Sequence, residues 1–208
     1  VRGSRPLSGE NVHTKYARLV TELLAPWIWV FGLPFVVAAQ ATREVGPTLL
    51  WGAVVGVTGS LIPMAVVLRG VKQGKYDSHH VTIREHRLIP FVATIVSVGG
   101  GWLVLGLGGA PPQMLALSVS LFVSLLVMLG ITFGLSWKVS MHSGVAAGAM
   151  VVLAVTFGPW LALVGVLVAL VAWSRVALGD HTTGQVIGGV LVGAGVGGAL
   201  FWVLTSVT

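Results

Sequence analysis

The sequence predicts an all-α fold, a polytopic bundle of about seven transmembrane helices. Two compositional facts and one pattern predict it. Of 208 residues, 55% are hydrophobic and only 9% are charged, where an ordinary globular chain carries roughly 25% charged residues. The mean hydropathy is +0.95, more apolar surface than so few charges can hold in water, so a bilayer is the fitting solvent. The apolar residues also fall into successive runs near the ~20 residues a spanning helix needs. The chain reads as a single membrane domain over 1–208, opening on a basic segment, 1–18, that lacks the charge–apolar–small pattern of a secretory signal.

The runs are, in order, Leu19–Ala41, Pro47–Leu68, Leu88–Leu107, Met114–Leu135, His142–Phe157, Pro159–Trp173 and Gly184–Leu204. The first contains Glu22, Pro26 and Pro34, which predict a kink or incomplete insertion, and makes it the run most readily counted as an extra. Between the third and fourth lies the turn Gly108–Pro112. The fifth and sixth are short and meet at Gly158-Pro159, a turn signal that predicts a tight helical hairpin. The seventh is crowded with glycine, from Gly184 to Gly198. Such a run predicts close helix packing, since small residues let membrane helices approach. Trp137 and Lys138 read as interfacial anchors.

Seven crossings put residues 69–87, 136–141 and 174–183 on the same face as the N-terminus. Eleven of the twelve Lys and Arg residues fall on that face and Arg43 alone on the other. The positive-inside rule makes the N-terminal face cytoplasmic in a cell membrane. The absence of cysteine excludes disulfides and thiolate metal sites. The net charge of +6 flanks apolar spans, so it points to bilayer lipids or a phosphorylated substrate as partners and not to nucleic acid.

From Leu88 to the C-terminus only Lys138, Arg175 and Asp180 carry formal charge, joined by His142 and His181. All five sit at span ends on the N-terminal face, where the polar stretch 75–87 also lies. Charged groups near a bilayer are costly and mark function. Guanidiniums hold phosphate oxygens by bidentate bonds, and imidazoles attack phosphorus or protonate a leaving oxygen near neutral pH. Clustered carboxylates for a metal are scarce here, with Asp77, Glu85 and Asp180 beside Glu10. The residues themselves point to binding or cleaving a phosphate at a membrane surface.

Three stretches carry a resemblance. Residues 174–185 read SRVALGDHTTGQ, residues 139–142 read VSMH, and residues 80–88 read HVTIREHRL. Their order and spacing resemble the motifs SRxxxxxHxxxD, PSGH and KxxxxxxRP of the type 2 phosphatidic acid phosphatase (PAP2) superfamily, over roughly residues 75–205. The resemblance implies a six-helix core and an integral membrane lipid phosphatase that needs no metal or cofactor. His181 would be the nucleophile, forming a phosphohistidine, and His142 would protonate the leaving oxygen. Arg175, Arg87, Ser140, Ser174 and His80 would hold the phosphate, with His80 standing where the family has lysine. Asp77, His79, Asp180, Arg84 and Gln185 are candidate supporting residues. Gln185 replaces the aspartate that orients the nucleophile, and Asp77 or Asp180 would be its spatial substitutes. The implied substrate is a phosphate monoester or diphosphate of an isoprenoid or glycerolipid. A weakly active or non-catalytic lipid-phosphate carrier and a lipid phosphotransferase remain as alternatives on the same scaffold. A channel or transporter is disfavoured by the scarcity of ionisable residues within the spans.

Overall fold

The computed structural model describes residues 12–76, 78–81 and 83–207. Ten α-helices make up the described chain: α1 (Val12–Leu23), α2 (Pro26–Thr42), α3 (Val45–Gly56), α4 (Ile62–Lys72), α5 (Leu88–Leu107), α6 (Pro112–Leu129), α7 (Met141–Phe157), α8 (Gly165–Ala177), α9 (Thr183–Val192) and α10 (Ala199–Ser206). The protein is an all-α polytopic membrane bundle. Six helical stretches, α1 and α2 counted together as one, are long and apolar enough to cross a bilayer, and α7, at 17 residues, is apolar but shorter.

Three of the stretches are composite. A π turn at Val57–Leu61 joins α3 to α4, another at Gly130–Gly134 extends α6, and a third at Gly193–Gly198 joins α9 to α10. The expected turns occur where glycine and proline place them. α5 stops at Gly108, Gly109 takes φ 71°, and α6 starts at Pro112. α7 ends at Gly158, whose φ of 114° disfavours any residue with a Cβ, and a 3-10 turn from Pro159 leads into α8.

The first apolar run is interrupted at its first proline. It is cut at Ala25, whose ψ of 146° is extended, just before Pro26 opens α2. Proline suits a first helical turn, where its missing N–H costs nothing, and it pushes the preceding residue out of helical geometry. Glu22 therefore belongs to α1 and not to the span proper. α1 packs on α8 through Ala17 and Thr21, one turn apart and both buried. His13 stacks on Trp173 while Thr21 bonds Ser174. α1 therefore packs on α8 near its Trp173–Ser174 end.

Three apolar clusters hold the bundle. One joins α2, α3, α5, α6, α7 and α10 around Val37, Leu105, Met114 and Phe201. A second, with Phe91, Leu125, Met128, Val139 and Val192, lies nearer the candidate residues. The third sets Ala146 and Ala147 of α7 against Val168 and Val171 of α8. α7 and the last composite helix touch backbone to backbone: a Cβ on Gly193 would fall on the Gly144 carbonyl, and one on Gly189 on that of Ser140. Small residues alone permit such an approach.

Candidate active site at one end of the bundle

The three polar loops are fastened together by groups their own sequences supply. The Ser140 backbone N–H donates to the Gln185 carbonyl at 3.1 Å. Lys138 Nζ donates to the Asp180 carbonyl at 2.7 Å. Arg87 donates from Nε to the Val81 carbonyl at 2.9 Å and from Nη1 to the Val139 carbonyl at 3.2 Å. Val81 takes φ 45°, a region costly for a β-branched residue, and that strained turn aims its carbonyl at Arg87. α1 closes the ring: Glu22 accepts from His79 Nε2 at 3.1 Å and His80 Nε2 at 3.0 Å, and Thr21 Oγ1 donates to Ser174 Oγ at 3.0 Å.

His181 sits between α8 and α9. Its backbone N–H and that of Asp180 both return to the Arg175 carbonyl, so the end of α8 sets where Arg175 stands relative to the imidazole. Thr182 then caps α9, and Gln185 completes the capping box. The Thr182 N–H, which can only donate, meets a Gln185 side-chain atom at 3.2 Å, so that atom is the amide oxygen. The same oxygen lies 3.1 Å from His181 Nδ1. Two heteroatoms at that distance share a proton, and the oxygen has none, so Nδ1 carries it and Nε2 keeps its lone pair. Burial, reinforced by the charges of Arg87, Lys138 and Arg175, lowers the His181 pKa to about 3 against the opposing Gln185 bond. His181 is a neutral, oriented imidazole with a free nitrogen.

His142 is in the first turn of α7, is 6% exposed, and its Nε2 has no hydrogen-bond partner among the described residues. Its ring meets that of His80 edge-on at 5.0 Å. Arg175, His80, His181 and Arg87 all lie within electrostatic reach of it, and the Ser140–Gln185 backbone bond holds the segments that carry His142 and His181 together. Arg175 is 1% exposed, its Nη2 bonded to Asp180 Oδ2 at 2.8 Å. His80 is half-buried. Burial pushes it below the ordinary imidazole value, Glu22 pulls it back through hydrogen bond and charge, and His79 and Arg175 push it down again. Net lowering makes it a poor replacement for the permanent charge of lysine.

A pocket of about 180 Å³ opens beside these groups. His79, His80, Arg87 and His142 form its polar end, and Val30, Met64, Phe91, Leu121, Leu125 and Val145 its apolar walls. A second, almost wholly apolar pocket of about 90 Å³ shares Val30, Leu121, Leu125, Met141 and Val145 with it and runs on past Gly144, Gly148 and Gly193. The two pockets thus lie side by side, one with a polar end of imidazoles and guanidinium and the other within the apolar bundle.

Several sequence expectations need correcting. The Ser174 hydroxyl donates to its own Val171 carbonyl at 2.8 Å and accepts from Thr21, so it ties α8 to α1 instead of lining the pocket. Ser140 is fully buried as the cap of α7, its oxygen accepting from the Ser143 N–H and paired with the Ser143 hydroxyl at 2.9 Å. Arg84 pairs with its neighbour Glu85 at 3.0 Å and stays on the surface. Asp180 engages Arg175 and not His181, whose described partner is Gln185. Asp77 lies outside the described residues. His181, Arg175 and Ser140 do not themselves line the pocket.

Glu22 and Lys138 are site members that the motif reading passed over. Lys138 reads locally as an anchor, yet its charge acts on His181. Glu22 carried a usable signal, since a carboxylate beside an apolar run demands a partner. Compared with known protein families, with characterised proteins and with solved structures, the chain matches none.

Proposed function

We propose that the protein is a membrane lipid phosphatase of the PAP2 type, cleaving the phosphate of an isoprenoid or glycerolipid monoester or diphosphate through a phosphohistidine. The observation that carries the proposal is the neutral His181, with Nδ1 held by Gln185 and Nε2 free, near an unpartnered buried His142. Around them stand Arg87, Arg175 and Lys138, a density of positive charge with one small anion to match, a phosphoryl group.

In this mechanism His181 Nε2 attacks phosphorus as the bond to the leaving oxygen breaks. His142 hands that oxygen a proton, and the guanidiniums stabilise charge on the equatorial oxygens. Water, giving its proton back to His142, then cleaves the P–N bond and frees phosphate and His181. The nucleophilic step asks nothing of a metal. The apolar compartment beside the polar end suits the hydrocarbon chain of a lipid and supports that substrate class. The cation bias to the N-terminal face supports a cytoplasmic site.

A second reading, a lipid-phosphate binder that turns over slowly or not at all, draws on two features. An amide supports a developing imidazolium less well than a carboxylate, and Arg175 is already paired with Asp180. Phosphate release from polyprenyl phosphate and from diacylglycerol phosphate, with acid-labile trapping of phosphohistidine, separates the readings. His181→Ala is expected to abolish both signals. Release that is unchanged in His181→Ala removes the nucleophile, and tight binding without a trapped adduct selects the binder.

A further inference from the structure

We propose that Glu22, His79 and His80 form a binding site for a divalent cation of the zinc class at the rim of the pocket. One carboxylate oxygen and two imidazole nitrogens from these residues lie within 4.8 Å of one another. The Glu22 oxygens stand 3.1 Å from His79 Nε2 and 3.0 Å from His80 Nε2. Those contacts run to different Glu22 oxygens, and ligand atoms on a tetrahedral zinc stand about 3.3 Å apart, so the three side chains draw in slightly around an entering cation. Two histidines and one glutamate are a recurrent zinc donor set that leaves a coordination position open.

The arrangement is built from separate parts. Glu22 ends α1, and the histidines lie 57 and 58 residues further along on the loop before α5. The fold brings together one of only six acidic residues and two of six histidines. The two ring centres lie 4.0 Å apart, tilted by 44°, both presenting Nε2 to Glu22. His79 and His80 also line the pocket, so the donor set borders it. Beyond His80 stands the ring of His142, buried and with an unpartnered nitrogen. To ligate, each imidazole carries its proton on Nδ1 and frees Nε2, and two neutral rings, the Glu22 carboxylate and a divalent ion leave this rim with net positive charge. The cation also staples α1 to the loop. The site stands on this geometry and does not depend on the phosphatase reading.

The test uses the full chain in detergent, free of any histidine tag, stripped with chelator and dialysed against micromolar Zn²⁺. The expected result is one zinc per chain and a raised Tm, with Co²⁺ giving the intense visible bands of a tetrahedral ion. Glu22→Gln and His79→Ala are each expected to weaken binding at least about 100-fold, since a ligand is worth more than the 10–100-fold of an outer-shell partner. His13→Ala, whose ring packs on Trp173 away from the site, retains the metal. His181→Ala also retains it while losing turnover, which separates failure of this site from failure of the phosphatase reading. No saturable zinc binding by the wild-type chain, a weakly absorbing octahedral Co²⁺ spectrum, or equal binding by Glu22→Gln and His79→Ala would overturn the proposal.

Discussion

Gln185 Oε1 accepts from the Thr182 backbone and from the His181 ring at once, so one amide both starts α9 and selects the imidazole tautomer. It lacks the charge that would support an imidazolium. Gln185→Leu removes the acceptor, and phosphohistidine formation is expected to fall about 100-fold, within the range of a lost positioning group in acid–base catalysis. Gln185→Asp restores a carboxylate and is expected to raise turnover together with the His181 titration midpoint. Rapid-quench adduct yields and imidazole NMR check both. A second expectation concerns pH. The folded value of about 3 for His181 lies below the ordinary value of about 6.5, so the unfolded chain binds a proton there that the folded chain refuses. Stability from this group is complete above about pH 6.5 and is lost as pH falls toward 3. NMR of the labelled ring is expected to show it neutral at pH 5, and a midpoint near 6.5 would contradict the buried, cation-flanked setting. That His142, Arg175 and His181 fall at the ends of apolar runs was legible, because charge and imidazole are so scarce after Leu88. The direction of the Ser174 hydroxyl was not, since a helical serine readily bonds a carbonyl one turn back and no neighbouring residue announces Thr21, 153 positions away.

Helix ends were legible wherever glycine or proline marks them, as at Gly108–Pro112 and Gly158-Pro159, because those residues act on the backbone locally. The break between α1 and α2 follows the same rule at Pro26. What α1 does was hidden, since its polar partners belong to a remote loop and to α8. The glycine-rich last helix shows how packing reaches the chemistry. Gly189 and Gly193 let it rest on the α7 backbone at Ser140 and Gly144, which brings the His181 and His142 elements together. Gly193→Ala is expected to cost about 1–3 kcal/mol through overpacking and to lower activity with it. Gly195→Ala, whose added Cβ meets nothing within 4 Å, is expected to stay within about 0.5 kcal/mol. Thermal unfolding in one detergent compares the pair, and equal losses would deny the contact its importance.

Across the whole molecule, composition and run length were enough to read a helical membrane bundle, because a bilayer permits few alternatives. Orientation rests on where the cations fall, and the natural absence of cysteine makes it simple to check. Lys75→Cys reports the site face and Glu44→Cys, in the turn between α2 and α3, the other. In intact cells an impermeant maleimide is expected to label Glu44→Cys and to reach Lys75→Cys only after the membrane is opened; the reverse pattern inverts the topology. The brevity of α7 bears on where reaction takes place. Its 17 residues extend about 25 Å against a hydrocarbon layer of about 30 Å, roughly one turn too few. A helix that short leaves room for the end that carries His142 to sit beneath the headgroup plane. A lipid approaching it would sink its polar head into the membrane's upper fringe, where water is scarce and attraction between unlike charges grows.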